Sequence, residues 1–164
     1  MGTAAAKSAS GRGAAHAAKR IEVLDAAARV FNRSGLTNTS LDEIAREVGV
    51  SKTSLYYYLR NKEDLIFQCY VRACEMGMAH LRAAADEGRT GLERIRIYVR
   101  NQTRPENPPA AALSEIAFLS PEHQAEVRRL ARRNDETMRG FINQGVEDGT
   151  ISVRDASLAN FALI

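Results

Sequence analysis

Ser51, Lys52, Thr53, Ser54, Tyr56, Tyr57 and Tyr58 crowd hydroxyl and ammonium donors into one short stretch. An ammonium can donate to guanine O6 and N7, hydroxyls donate or accept at a base edge, and a threonine methyl or tyrosine ring meets a thymine methyl. That chemistry reads a duplex when one helical turn presents the donors outward in the major groove. The neighbouring residues predict such a turn. Ile44, Ala45 and Val48 recur at helical spacing, Gly49 stands where the chain needs a left-handed residue, and Leu55 with Leu59 resumes the apolar period. Residues 39–59 therefore read as two short helices joined by a glycine turn, with Ser51 to Ser54 opening the second. Lys52, Thr53, Ser54 and Tyr56, with Ser51 beside them, are the expected base-edge residues. Thr39, Ser40, Tyr57, Tyr58 and Lys62 are expected on phosphate, where contacts fix register without reading sequence. Successive residues turn by about 100°, and Leu55 and Leu59 already take the inner stripe. At least two of the three tyrosine hydroxyls should therefore face DNA or solvent.

Other elements must hold this turn in place. Ser40 is the expected N-cap of the first short helix, with Glu43 three residues on to return the hydrogen bond. A helix N-terminus also attracts phosphate through its free N–H groups and dipole. Upstream, Ile21, Leu24, Ala28 and Phe31 predict one buried stripe of a scaffold helix closed by Ser34-Gly35. Residues 1–18 are expected to form a flexible basic arm, since Lys7, Arg12, Lys19 and Arg20 precede the first acid, Glu22. Downstream, Asn61-Lys62-Glu63-Asp64-Leu65 predicts the start of a long helix to about Glu87. Gly88 and Gly91 interrupt, Leu92 to Gln102 restart with Ile95 and Val99 spaced four apart, and Pro105, Pro108 and Pro109 end that run. A short helix is expected over Ala110 to Leu119. Ser120-Pro121-Glu122 predicts a helix to about Asp148, with Val127, Leu130, Asn134, Met138 and Phe141 inward. Asp155 to Ile164 reads as the start of another. The fold class is all-α, with a domain for residues 19–65 and a helical bundle over residues 66–164.

The chain has 164 residues, 45% hydrophobic and 26% charged, which matches a globular protein with a substantial core. Its net charge of +3 is unevenly placed: residues 1–60 carry nine Lys or Arg against five Asp or Glu, the rest fourteen against fifteen. Excess positive charge beside the helix-turn-helix suits a phosphate-binding end. Cys69 and Cys74 are separated by about 7.5 Å along one helix, so they are expected as packing residues in a reducing compartment. No apolar core of a signal peptide and no membrane-spanning run is present, so a cytoplasmic protein without membrane partner is expected.

Gly35, Thr39-Ser40, Ile44-Ala45, Gly49-Val50-Ser51, Leu55-Tyr56, Lys62-Glu63 and Leu65 stand in the order of a known pattern. Over residues 19–66 the chain resembles the N-terminal domain of TetR-type transcriptional regulators. The resemblance implies a homodimer that grips a palindromic double-stranded operator and is released by a small-molecule effector bound in the bundle, most simply as a repressor. Relatives close their dimers with two long C-terminal helices. This chain ends at Ile164, within the first of them, so either the sequence is truncated, which is the expected case, or the dimer surface is built differently.

Phe67, Tyr70, Met78, Tyr98, Phe118, Met138 and Phe141 are the expected effector-lining residues, because soft and aromatic side chains can wall an apolar cavity. Arg128, Arg129, Arg132 and Arg133 make a basic stripe, either a solvated face or a grip on an anionic ligand such as the acyl-CoA thioesters some members of the family use. His16, His80 and His123 are too scattered for a metal site, and no catalytic set stands at motif spacing, so neither enzyme activity nor a cofactor is expected. The alternative from another class is a helix-turn-helix used for protein contact or chromosome architecture without effector control.

Overall fold

The computed structural model describes residues 3–111 and 115–153, with side chains from residue 13 onward. Among the described residues there are six α-helices and no strand: α1 (Thr3–Asn38), α2 (Leu41–Val48), α3 (Lys52–Leu55), α4 (Lys62–Glu87), α5 (Gly91–Gln102) and α6 (Pro121–Glu147). They form two compact units. One comprises Met1–Tyr70 with Pro109–Leu119, the other Val71–Pro108 with Ser120–Ile164, and α4 contributes to both.

In the first unit α1 begins at Thr3, so residues expected in a flexible arm have helical backbone. Alanine, the strongest helix former, dominates that segment, and a sequence poor in large apolar groups is not thereby poor in helix propensity. Residues 13 to 18 are exposed. The buried face of α1 is set by Val23, Ala26, Ala27 and Val30 together with Leu24, Ala28 and Phe31. Ile21, expected inside, is 45% exposed. It precedes Val23 by two residues and so lies about 160° round the helix from it. At Gly35 the chain turns with φ 77° and ψ 160°, a conformation open to glycine. The orphan carbonyls there are met by side chains: Asn38 donates to Ser34 O at 3.2 Å and Thr39 to Gly35 O at 2.8 Å.

Ser40 caps α2 by accepting from Glu43 N at 3.2 Å. The Glu43 carboxylate pairs with Arg33 at 3.5 Å, so the expected return bond is replaced by a tie to α1. Gly49 ends α2 in the left-handed region with φ 73°, and Val50 N donates to Ala45 O at 2.9 Å. Ile44 with Ala45 anchors α2 and Leu55 anchors α3, all three buried. At the head of α4, Asn61 Oδ1 accepts from Asp64 N at 2.8 Å while Asp64 Oδ2 accepts from Arg60 N at 2.7 Å. Leu65, Ile66, Cys69 and Tyr70 then bury its first turns.

The second unit packs α5 and α6 against the rest of α4 around Leu81, Ala84, Ile95, Met138, Phe141 and Ile142. Thr90 and Glu93 close a complete capping box on α5, and Ser120 caps α6 ahead of Pro121. α5 meets α6 so closely that a Cβ on Gly91 would lie 2.1 Å from Gly145 N. Gly91 N donates to Asp148 Oδ2 at 2.8 Å, and the Arg94 guanidinium bonds Gly88 O while lying 5.6 Å over the Phe141 ring. Ile95 is buried, whereas Val99 four residues on is 41% exposed.

The short helix expected over Ala110 to Leu119 is reduced, among the described residues, to a 3₁₀ turn at Ile116–Phe118. Ten residues closed by Pro121 are too few to offset helix nucleation on their own. Asp155 to Ile164 falls outside the described residues. Cys69 and Cys74 are both buried and are not joined in a disulfide, and burial pushes the Cys74 thiol above its ordinary pKa. No helix among the described residues is long and apolar enough to cross a membrane.

Candidate nucleic-acid interface

α3 is a single turn whose geometry comes from its ends. Ser51 caps it, accepting from Ser54 N at 3.1 Å and sharing a hydroxyl–hydroxyl bond with Ser54 at 2.8 Å, while Leu55 is fully buried beneath it. With the inner position taken by Leu55, helical rotation turns Lys52, Thr53, Tyr56 and Tyr57 to the surface. Tyr56 is 49% and Tyr57 76% exposed, which meets the expectation for the tyrosine run. Tyr58 is half-buried, its ring 4.9 Å from that of His16, whose Nε2 lies 3.4 Å from Tyr57 O. Leu59 is buried, as the apolar period required.

Ser51 and Ser54 therefore spend part of their hydrogen-bonding capacity on the turn itself. Ser40 is exposed at the N-terminus of α2, beside the free N–H groups that suit a phosphate. Thr39 differs from expectation: it is 3% exposed and its hydroxyl is bound to Gly35 O. Its side chain closes the turn after α1 and is not available to donate to phosphate. Lys62 is half-buried with Nζ 3.5 Å from Thr37 O, at the start of α4. Sequence reasoning missed two neighbours of the turn. Asp42 Oδ2 holds Lys52 Nζ at 2.8 Å and raises the lysine above its ordinary pKa through that hydrogen bond and its charge. The signal was an acid in the first turn of one helix and a lysine opening the next. His16, expected in the arm, stacks on Tyr58 instead.

The seven expected effector-lining residues are divided between the two units. Phe67, Tyr70 and Phe118 belong to the first unit, where Tyr70 is 1% and Phe118 44% exposed. In the second unit Met138 and Phe141 are core, with Met78 and Tyr98 packed against them. Soft and aromatic side chains at helical spacing serve a core as readily as a cavity. A cleft of about 370 Å³ opens within the second unit, lined by Cys74, Glu75, Met78 and Arg82 of α4 and by Leu130, Arg133 and Asn134 of α6. Met78 alone of the seven reaches it. Asn134 bonds Cys74 O at 2.9 Å across the two helices. Of the arginine stripe, Arg128 bonds Gln124 and Arg129 pairs with Glu126, so the stripe is partly neutralised along its own helix while Arg133 turns to the cleft.

Fold and interface define a helical protein with an N-terminal helix-turn-helix. Residues 23–69 match the family profile described as bacterial regulatory proteins, tetR family, and residues 88–164 match the tetracyclin repressor-like C-terminal domain. Over 100 residues the chain is 34% identical to the HTH-type transcriptional regulator RutR of Escherichia coli (strain K12), a match covering 61% of this chain. The chain thus spans 47% of the length of that relative. The crystal structure of PfmR, a TetR family transcriptional regulator from Thermus thermophilus, superposes with TM-score 0.72 at 30% identity, covering 85% of this chain and 79% of that one. AibR, solved in complex with isovaleryl coenzyme A and operator DNA, shares the fold with TM-score 0.73 at 22% identity, over 88% of this chain and 81% of AibR. The chain belongs to the TetR family of bacterial regulatory proteins.

Proposed function

We propose that this protein is a ligand-responsive, DNA-binding transcriptional regulator that acts as a homodimer on a palindromic operator. The carrying observation is the α3 turn, where one buried leucine turns Lys52, Thr53, Tyr56 and Tyr57 outward beside the exposed N-terminus of α2. Lys52, Thr53 and Tyr56 are assigned to base edges, with Ser51 and Ser54 shaping the turn. Ser40, Tyr57, Tyr58 and Lys62 are assigned to phosphate. Selection from a random duplex pool, followed by titration of variants, tests this. Tyr57→Phe weakens selected and scrambled duplexes alike, whereas Lys52→Ala changes which sequence is preferred. Equal losses on every sequence for both variants would overturn the assignment. Binding that ignores palindromy and falls steeply with salt would favour an architectural role.

The effector assigned to the second unit is an anionic amphiphile of the acyl-CoA class. Arg82 and Arg133 bring two cations to a cleft that Met78 and Leu130 make partly apolar, and the similarly folded AibR was solved with isovaleryl coenzyme A. α4 is continuous from the unit that holds α3 to the unit that holds the cleft, which gives binding a path to the reading turn. Acyl-CoA titrated into the operator complex is expected to release it, and Arg82→Ala with Arg133→Ala to abolish release. No release by acyl-CoA or by free fatty acid would refute the ligand class.

A further inference from the structure

The Asp42–Lys52 pair contributes little to the fold, since the two side chains are 60% and 49% exposed. Its placement matters more. Asp42 stands in the first turn of α2, at the end where phosphate is assigned, and Lys52 opens the reading turn. The neighbouring acids of α2 face elsewhere, with Glu43 on Arg33 and Glu47 on Arg29 and Arg33. Of the three, Asp42 is the one turned to the reading lysine.

We propose that Asp42 is a specificity-determining residue, which occupies the Lys52 ammonium off DNA so that the lysine is released only to a base edge that replaces the carboxylate. The inference rests on the DNA-binding reading above. A free ammonium is drawn to any phosphate and adds to affinity for every sequence through counterion release. Held 2.8 Å from a carboxylate, Lys52 is already neutralised and adds little to that general attraction. The carboxylate also repels phosphates near it. A guanine presenting O6 and N7 offers the lysine two acceptors in exchange, whereas a cytosine presenting its N4 amino donor in that place leaves the exchange uncompensated. The pair therefore depresses binding to unrelated sequences more than binding to the preferred one.

Asp42→Asn keeps the shape and a hydrogen-bond acceptor at the start of α2 while removing the charge. The assay is fluorescence anisotropy with the full chain on two duplexes, one selected by the unsubstituted protein and one scrambled from it, across a salt series. Affinity of Asp42→Asn for the scrambled duplex is expected to rise about three- to tenfold, affinity for the selected one less than threefold, with the scrambled salt slope steeper by about one. In a Lys52→Ala background the same substitution is expected to give a smaller gain on the scrambled duplex and no loss of discrimination. Equal gains on both duplexes, or an undiminished gain in the Lys52→Ala background, would overturn the inference, since the acid would then act as general repulsion. An unsubstituted protein that retains no duplex at low salt would instead overturn the DNA-binding reading, and with it this one.

Discussion

The contact between α5 and α6 gives two substitutions of identical chemistry with opposite expected signs. In Gly91→Ala the new methyl would lie 2.1 Å from Gly145 N, 2.3 Å from Phe141 O and 2.4 Å from Gly145 Cα. All three are backbone atoms of α6, more than 1 Å inside an ordinary contact of about 3.5 Å. No rotamer change relieves the overlap, so the helices must separate, straining the Gly91 N bond to Asp148 and the core around Ile95 and Phe141. Overpacking costs about 1–3 kcal/mol and more where the backbone must yield, while the gain in helix propensity is below about 1 kcal/mol. The net loss is about 2–3 kcal/mol. With a urea slope near 2 kcal/mol per M, the unfolding midpoint falls by about 1–1.5 M. Gly140 lies inside α6, exposed, with nothing within 4 Å of its missing Cβ. Gly140→Ala should stabilise by about 0.5–1 kcal/mol and raise the midpoint by about 0.3–0.5 M. Urea titrations followed by circular dichroism measure both. A Gly91→Ala midpoint unchanged or raised, or equal losses in the two variants, would refute the reasoning.

Gly35→Ala is expected to cost about 1–3 kcal/mol and Gly49→Ala about 1 kcal/mol, because φ 77° with ψ 160° admits a side chain less readily than the left-handed helical region. Thermal melts that rank the two in reverse would contradict this. Leu55→Ala empties a fully buried position and should lose about 2–5 kcal/mol, with DNA affinity falling in step; retained stability would show that α3 is held by something else. Hydrogen bonds from Thr150 and Gly91 N, with the charge of Arg94, hold Asp148 below the ordinary aspartate pKa of 3.8. Because the folded value is depressed, its stabilising effect is present above pH 3.8 and is lost as the pH falls through the folded value. The advantage of the unsubstituted protein over Asp148→Asn should therefore be full near neutrality and shrink below pH 3.8, and a pH-independent difference would count against those bonds.

Features governed by short-range chemistry were legible in the residues. Ser40, Gly49, Asn61 and Ser120 act within one turn of the chain, and each stands at the helix end that its side chain or backbone predicts, while Ser51, expected inside the first turn of α3, is its cap. Leu55 was assignable inward from period alone, which put at least two of the three tyrosines outward, while which two, Tyr56 and Tyr57, came from the structure. Features set by a distant partner were not legible. Thr39 was missed for a local reason instead, since its hydroxyl suits a phosphate but is taken by Gly35 O four residues back. Glu43 could return a bond to Ser40, yet Arg33 of another helix competes for it. The aromatic and methionine residues assigned to a cavity satisfy the pattern of a core equally well, and only three-dimensional packing separates Met78 at the cleft from Met138 within the core. Lys52 was visible as a cation, while its pairing with Asp42 depends on how two helices meet.

Because α3 hangs on Leu55 and the Ser51 cap, the four outward side chains at Lys52, Thr53, Tyr56 and Tyr57 bear almost no structural duty. Exchanges at such surface positions shift stability by only about 0.5 kcal/mol either way. On the proposed reading, these letters could be exchanged one at a time to shift the target sequence while the protein stays folded at every intermediate, so operator preference would drift faster than the scaffold that carries it.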